Sequence, residues 1–92
     1  EIVSDTKTFE LKQNYPNPIL QKTTIPLNIK YDAFVKIEIF DVKGRNIQQL
    51  LDKRLNKGEH LIEWNTSDLS SGLYLYKVTV DGVSEIRKCM KL

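Results

Sequence analysis

Apolar residues recur along this chain with a period of two, and turn-forming residues interrupt them at short intervals. That alternation predicts half-buried β-strands. The clearest case is residues 68–80 (DLSSGLYLYKVTV), a polar corner, a glycine and then strand. Tyr74, Tyr76, Val78 and Val80 fall on one face, with Leu73, Leu75, Lys77 and Thr79 on the other. Both faces begin apolar, so the first half of this strand is expected to be covered on both sides, as a central strand is. Gly72 tolerates positive φ and lets the corner turn tightly. Tyr74, two residues further on, stands where sandwich domains bond a tyrosine hydroxyl back to the corner backbone. The plainer reading of Tyr74 is a large core residue.

The rest of the chain divides in the same way. Residues 1–8 are polar and read as a linker or a loosely attached first strand; residues 9–11 alternate as a short strand. In residues 13–18 (QNYPNP), Pro16 and Pro18 remove backbone donors and disfavour helix. This predicts a rigid, extended segment crossing the end of the domain, with Tyr15 as its anchor. Residues 23–30 place Thr23, Ile25, Leu27 and Ile29 on one face; Pro26, lacking an N–H, predicts an edge strand or a bulge. Val35, Ile37 and Ile39 point inward from the next strand, which turns at residues 41–45 with Gly44 at positive φ.

Residues 47–55 read as a strand with a bulge or change of face at Leu50-Leu51; Ile47, Leu50, Leu51 and Arg54 would alternatively form one helical face. After a turn around Gly58, His60, Ile62 and Trp64 share an inward face. Asp81-Gly82 is a two-residue hairpin turn. In the last strand Ser84, Ile86, Lys88, Met90 and Leu92 share one face and Cys89 lies on the other. The predicted core is Ile25, Leu27, Ile29, Val35, Ile37, Ile39, Ile62, Trp64, Tyr74, Tyr76, Val78, Ile86 and Met90. About seven strands at this spacing predict an all-β, immunoglobulin-like or fibronectin-like sandwich of antiparallel strands.

Composition narrows the function classes. At 92 residues the chain makes one small domain. A formal charge of +2, with Lys43, Arg45, Lys53 and Arg54 lacking interleaved aromatics, argues against nucleic acid. One cysteine excludes an internal disulfide and a thiolate-rich zinc cluster. No run is long enough to span a membrane as a helix, and these 92 residues include no signal peptide, which could have been lost with the rest of a longer protein. The chain begins at Glu1 without an initiator methionine and reads as a piece of a longer protein. His60 and Cys89 are the only thiol–imidazole candidates, and nothing orients the base. Asp32, Asp41, Asp52, Asp68 and Asp81 are spread over turns, unlike a calcium loop. Trp64 and the tyrosines could form a carbohydrate platform only if they faced solvent. These residues describe a non-catalytic β-sandwich without metal or cofactor. A carbohydrate-binding module or a fibronectin-like spacer of a secreted enzyme is the alternative function.

Five motifs then occur in order: Leu11-x-Gln13-Asn14-Tyr15-Pro16-Asn17-Pro18 with Thr23-Thr24-Ile25; Phe40-Asp41-x-x-Gly44-Arg45; Gly58-x-His60-x-Ile62-x-Trp64; Leu69-Ser70-Ser71-Gly72-Leu73-Tyr74-Leu75-Tyr76; and Arg87-Lys88-Cys89-Met90-Lys91-Leu92. Together they resemble the type A C-terminal sorting domain of the type IX (Por) secretion system of Bacteroidota. The likeness covers residues 9–92 and departs at Ile19-Leu20-Gln21, Pro26 and Cys89. It implies a secretion signal, not an enzyme, carried behind an N-terminal cargo domain of the same chain. Such a domain passes through the periplasm and meets type IX translocon components. A sortase-like surface peptidase then removes it, or the cargo is attached to the outer membrane or cell surface or released outside. The resemblance assigns sorting motifs to Asn14, Pro16, Asn17, Pro18, Gly44, Gly58, Gly72, Tyr74, Lys88, Met90 and Lys91. Two further expectations concern the ends. The last strand should lie at a sheet edge, offering its backbone and Lys88 and Lys91 to the machinery and permitting a weak dimer. Residues 1–8 should hold the cleavage region.

Overall fold

The computed structural model describes residues 8–92, so the expected linker and cleavage region lies outside the described residues except for Thr8. The strands are β1 (Phe9–Leu11), β2 (Lys22–Ile29), β3 (Ala33–Asp41), β4 (Asn46–Leu55), β5 (Gly58–Asn65), β6 (Gly72–Val80) and β7 (Val83–Lys91). They form a three-stranded sheet in the order β1-β2-β5 and a four-stranded sheet in the order β4-β3-β6-β7. Every pairing is antiparallel. This is the all-β, immunoglobulin-like sandwich that the alternation predicts. The inward-facing residues of the two sheets interdigitate, with Ile25, Val35, Ile37, Ile39, Trp64, Tyr76 and Val78 fully buried between them.

The ambiguous stretch resolves as strand β4, with the bulge where two adjacent leucines predict it. Ile37 pairs with Leu51 and Glu38 with Gln49, which leaves Leu50 as the extra residue. The bulge lets both Leu50 and Leu51 pack against the core. At the β6–β7 turn, Asp81 (φ 47) and Gly82 (φ 87) are both left-handed. Two consecutive positive φ values make a type I′ turn, whose twist matches the strands it joins.

Three expectations change. Strand β6 is central, but its first half is covered on one face only: Leu73 is 39% exposed. A two-layer sandwich leaves each sheet an outer face in water. The strand carrying Pro26 is neither an edge nor bulged, for β2 is the middle strand and its register with β5 is continuous. Strand β1 stops at Leu11, opposite Leu27, so the missing N–H of Pro26 falls where a partner strand has already ended.

The last strand faces the other way from the expectation. Cys89 and Lys91 are buried, whereas Ile86 (55%) and Met90 (42%) are exposed. The reason is parity. The two-residue turn pairs Val80 with Val83, and the register then sets Cys89 opposite Tyr74 and Glu85 opposite Val78. Paired residues project to the same face, so the core-facing set on β6 forces residues 85, 87, 89 and 91 inward. Ile62 is only partly buried against the core, while Phe9, Leu11, Ile19, Ala33, Val80 and Cys89 join it.

Ile37 is fully buried and Leu61 is 57% exposed on the outside of β5. Urea unfolding should therefore find Ile37→Ala destabilised by about 2–5 kcal/mol and Leu61→Ala within about 0.5 kcal/mol of the unchanged chain.

Candidate functional site

Residues 12–21, between β1 and β2, form a strap along the side of the sandwich where the two sheets would otherwise part. The peptide bonds before Pro16 and Pro18 are both cis. The strap starts on the three-stranded sheet: the Lys12 N–H donates to Pro26 O (3.1 Å), and Tyr15 exchanges two backbone bonds with Thr24 (3.0 and 2.8 Å). It ends on the four-stranded sheet, where Ile19 pairs with Lys91 in parallel.

Between these points Asn14 is the buried polar hub. Its Nδ2 donates to Thr23 Oγ1 (3.0 Å) and Pro16 O (3.3 Å), and its Oδ1 accepts from Gln13 Nε2 (2.6 Å). Thr23 Oγ1 donates to the same Pro16 carbonyl (3.0 Å). A side-chain amide that is 2% exposed is tolerable only because its donors and acceptor are engaged. Tyr76 reaches across the core from β6: its hydroxyl donates to Lys12 O (3.1 Å) and accepts from Asn14 N (2.9 Å). That carbonyl is available because Pro26, opposite it, has no N–H to donate. Ile19, fully buried, is the apolar plug of the strap. Tyr15, expected to be its anchor, is instead 53% exposed; its backbone holds the strap and its ring faces out.

The strap also covers part of the β7 edge. Met90 N donates to Asn17 Oδ1 (2.9 Å), Lys88 O accepts from Gln13 Nε2 (2.9 Å), and Ile19 N donates to Met90 O (2.7 Å). Leu92 N completes the set on Ile19 O (2.8 Å). Two inward cations of β7 hold the chain on either side, at the end of β1 and near the end of the strap. Arg87 Nη2 donates to Leu11 O (2.9 Å) and Lys91 Nζ to Leu20 O (2.6 Å). The last strand is thus an edge strand, yet the outward backbone groups near its end are already paired. Lys91, expected to reach outward, is 8% exposed and committed to the strap.

The corner after β5 packs beside this strap. Thr66 donates its N–H (2.7 Å) and Oγ1 (2.8 Å) to Gln21 O. Tyr74 Oη donates to Ser70 O (2.7 Å), the tyrosine-corner bond. Gly72 lies opposite Lys91, and Tyr74 opposite Cys89.

Asn14, Pro16, Asn17, Pro18, Gly72, Tyr74, Lys88, Met90 and Lys91 therefore gather at one end and side of the sandwich. Gly44 (φ 84) lies at the same end, in the turn beyond Asp41, which pairs with Tyr74. The Arg45 backbone N–H, foremost, holds the Asp41 carboxyl below the usual range, with the Arg45 guanidinium and the Lys43 N–H adding to it. Gly58 pairs with Ile29 at the opposite end, away from the others.

The sequence assigned no role to Gln13, Ile19, Thr66 and Arg87, for Gln13 and Arg87 stood only inside motifs and Ile19 only as a departure. An apolar pair, Ile19-Leu20, directly after two prolines was the available signal for Ile19, although it does not tell the buried Ile19 from the exposed Leu20. The others act through carbonyls, which leave no pattern in side-chain type.

Chemically, the cluster is a clamp. Among the described residues no group of three or more His, Cys, Asp or Glu could hold a metal. His60 bonds Asn56 O (2.7 Å) on the three-stranded sheet, and Cys89 sits in the other sheet towards the far end. Trp64 and Tyr76 are fully buried, so they offer no platform to a sugar. Burial pushes the Tyr76 hydroxyl up to about 12 and the Cys89 thiol up to about 11.

The family model for the secretion system C-terminal sorting domain matches residues 13–91. Among solved structures, the chain is similar to PorZ of Porphyromonas gingivalis, described as an essential bacterial surface component of the type-IX secretion system. The TM-score is 0.59 at 22% identity, covering 87% of this chain and 11% of that one. That likeness is one of fold. No curated protein matches the chain.

The Tyr76 hydroxyl serves two backbone groups and the Tyr74 hydroxyl one. In chemical denaturation, Tyr76→Phe should cost about 1–3 kcal/mol by stranding a buried N–H and a carbonyl, and Tyr74→Phe only about 0.5–1.5 kcal/mol. A second expectation concerns alkali. Cys89 rises from 9.0 to about 11 on folding, so its contribution is intact below pH 9 and is lost as pH climbs from 9 to 11. Stability should fall there by up to about 1.4 kcal/mol per pH unit from this group, and Cys89→Ala should flatten that part of the profile.

Proposed function

The chain belongs to the family of secretion system C-terminal sorting domains, and on that premise we propose how its strap and last strand serve export. The domain is a sorting signal for type IX secretion, and domains of this kind are generally non-catalytic. Cargo bearing such a signal is exported across the outer membrane to the cell surface or the extracellular space. The family match along nearly the whole folded length carries this reading.

The finer steps are our proposal. The domain is of type A, follows a cargo domain in the same chain, and crosses the periplasm before meeting translocon components. A sortase-like surface peptidase then cuts in the region of residues 1–8, and the cargo is attached or set free. Asn14, Pro16, Asn17, Pro18, Gly44, Gly58, Gly72 and Tyr74 act by shaping the domain, and residues 88–92 act as the signal's contact. In support, the strap motif and the tail motif hydrogen-bond to one another, so neither is presented correctly without the other. Since the strap already occupies Lys88 O, Met90 N, Met90 O and Leu92 N, the outward side chains of Lys88 and Met90, rather than free backbone, carry the contact at this end. Backbone pairing, including pairing with a second copy to make a weak dimer, is left to the open stretch near Ser84 and Ile86.

The test is export of a reporter placed ahead of the chain. Removing residues 88–92 should cut export at least tenfold; undiminished export would sink this reading. Tyr74→Ala should lower both export and melting temperature. An unchanged melting temperature with lost export would move Tyr74 from the framework to the contact surface.

A further inference from the structure

The two outer faces of the sandwich differ in chemistry. On the three-stranded sheet the one exposed large hydrophobic residue among the described strands is Leu61. The strands of the four-stranded sheet expose Phe34, Ile47, Leu73, Val83, Ile86 and Met90. Several of these adjoin. Leu73 pairs with Met90, Leu75 pairs with the half-buried Phe40, and Ile86 pairs with Lys77. Leu75 follows Leu73 on the same face and stands opposite Lys88. Cross-strand neighbours on one face touch, so Met90, Leu73, Leu75 and Phe40 form an apolar strip over β3, β6 and β7, with Ile86 beyond Lys77 and Lys88. Solvent reaches it: Leu73 is 39%, Met90 42% and Ile86 55% exposed.

Charge on the strip has one sign to spare. Lys77 and Lys88 stand within it and form no ion pair among the described residues. Glu38 stands directly opposite Lys77, accepts from Asn46 Nδ2 (2.9 Å) and balances one of these charges, so Lys88 is the cation left over. An apolar strip that carries one lysine more than its carboxylate balances fits an apolar surface edged by carboxylates.

We propose that the outer face of the four-stranded sheet docks onto a protein of the export machinery through an apolar surface bordered by carboxylates. This rests on the sorting reading and extends the contact from the tail to β6. A protein fits better than an anionic membrane, because lipid recognition of this kind uses a dense basic cluster, and two lysines on a flat sheet are not one. The strip lies next to the strap-held tail, so a partner gripping residues 88–92 would meet Leu73 and Leu75 with no change of shape.

The test leaves the tail untouched. Reporters ending in the whole chain would carry Leu73→Asn with Ile86→Asn, or Lys77→Glu, with Leu61→Asn as the control on the opposite face. Thermal melting accompanies each. The expected result is folded variants whose export falls at least tenfold on the strip and is unchanged for Leu61→Asn. If the apolar pair does not fold, Lys77→Glu, on the outer face opposite Glu38, decides alone. Folded strip variants that export normally would overturn the docking face, while loss of export on truncating residues 88–92 would leave the sorting reading standing. Normal export of the reporter without the chain would overturn both. Binding of the unmodified chain to phosphatidylglycerol vesicles, lost in Lys77→Glu, would reassign the face to anionic lipid and overturn protein docking.

Discussion

The turn at Asp81-Gly82 joins β6 to β7 with no residue to spare, and the arrangement of the C-terminal half follows from that. Once Tyr74, Tyr76, Val78 and Val80 face the core, the turn admits one register, and the register admits one face for every residue of β7. Charged residues are thereby carried to the inner side of an edge strand. They are stable there because carbonyls meet them: Leu11 O at the end of β1 for Arg87, which also pairs with Glu85 (3.5 Å), and Leu20 O of the strap for Lys91. Desolvating a lysine without such a partner would be costly. The strap and the inward cations are thus a single solution to one geometric constraint.

The other half of that solution is Pro26. In a regular sheet, Lys12 O would have taken a hydrogen bond from the residue opposite. Proline withholds it, β1 ends, and the carbonyl turns to the Tyr76 hydroxyl. The same hydroxyl accepts from Asn14 N, which starts the strap on its course between the sheets. A missing donor in one sheet is therefore matched by a side chain arriving from the other.

Much of the architecture was legible in the sequence. Period-two alternation located the strands, paired leucines marked the bulge in β4, and the tyrosine corner could be read from Gly72 and Tyr74 alone. The reading failed where side-chain type and position disagreed. Ile86 and Met90 look like core residues and Lys91 does not, yet the turn overrides all three. Applying the two-residue parity to β7 would have given the correct face without a structure. The strap was harder. Its bonds run to backbone carbonyls of residues distant in sequence, and Tyr15, the conspicuous aromatic, proves to be less buried than the modest Asn14 and Ile19.

Cys89 sits opposite Tyr74 with its sulfur 3.7 Å from the Tyr74 carbonyl, 2% exposed and with its pKa raised. Thiol–disulfide exchange needs a thiolate that can reach another sulfur. Neither condition is met while the sandwich is closed. The folded domain therefore keeps its thiol out of disulfide exchange, although it carries a free cysteine.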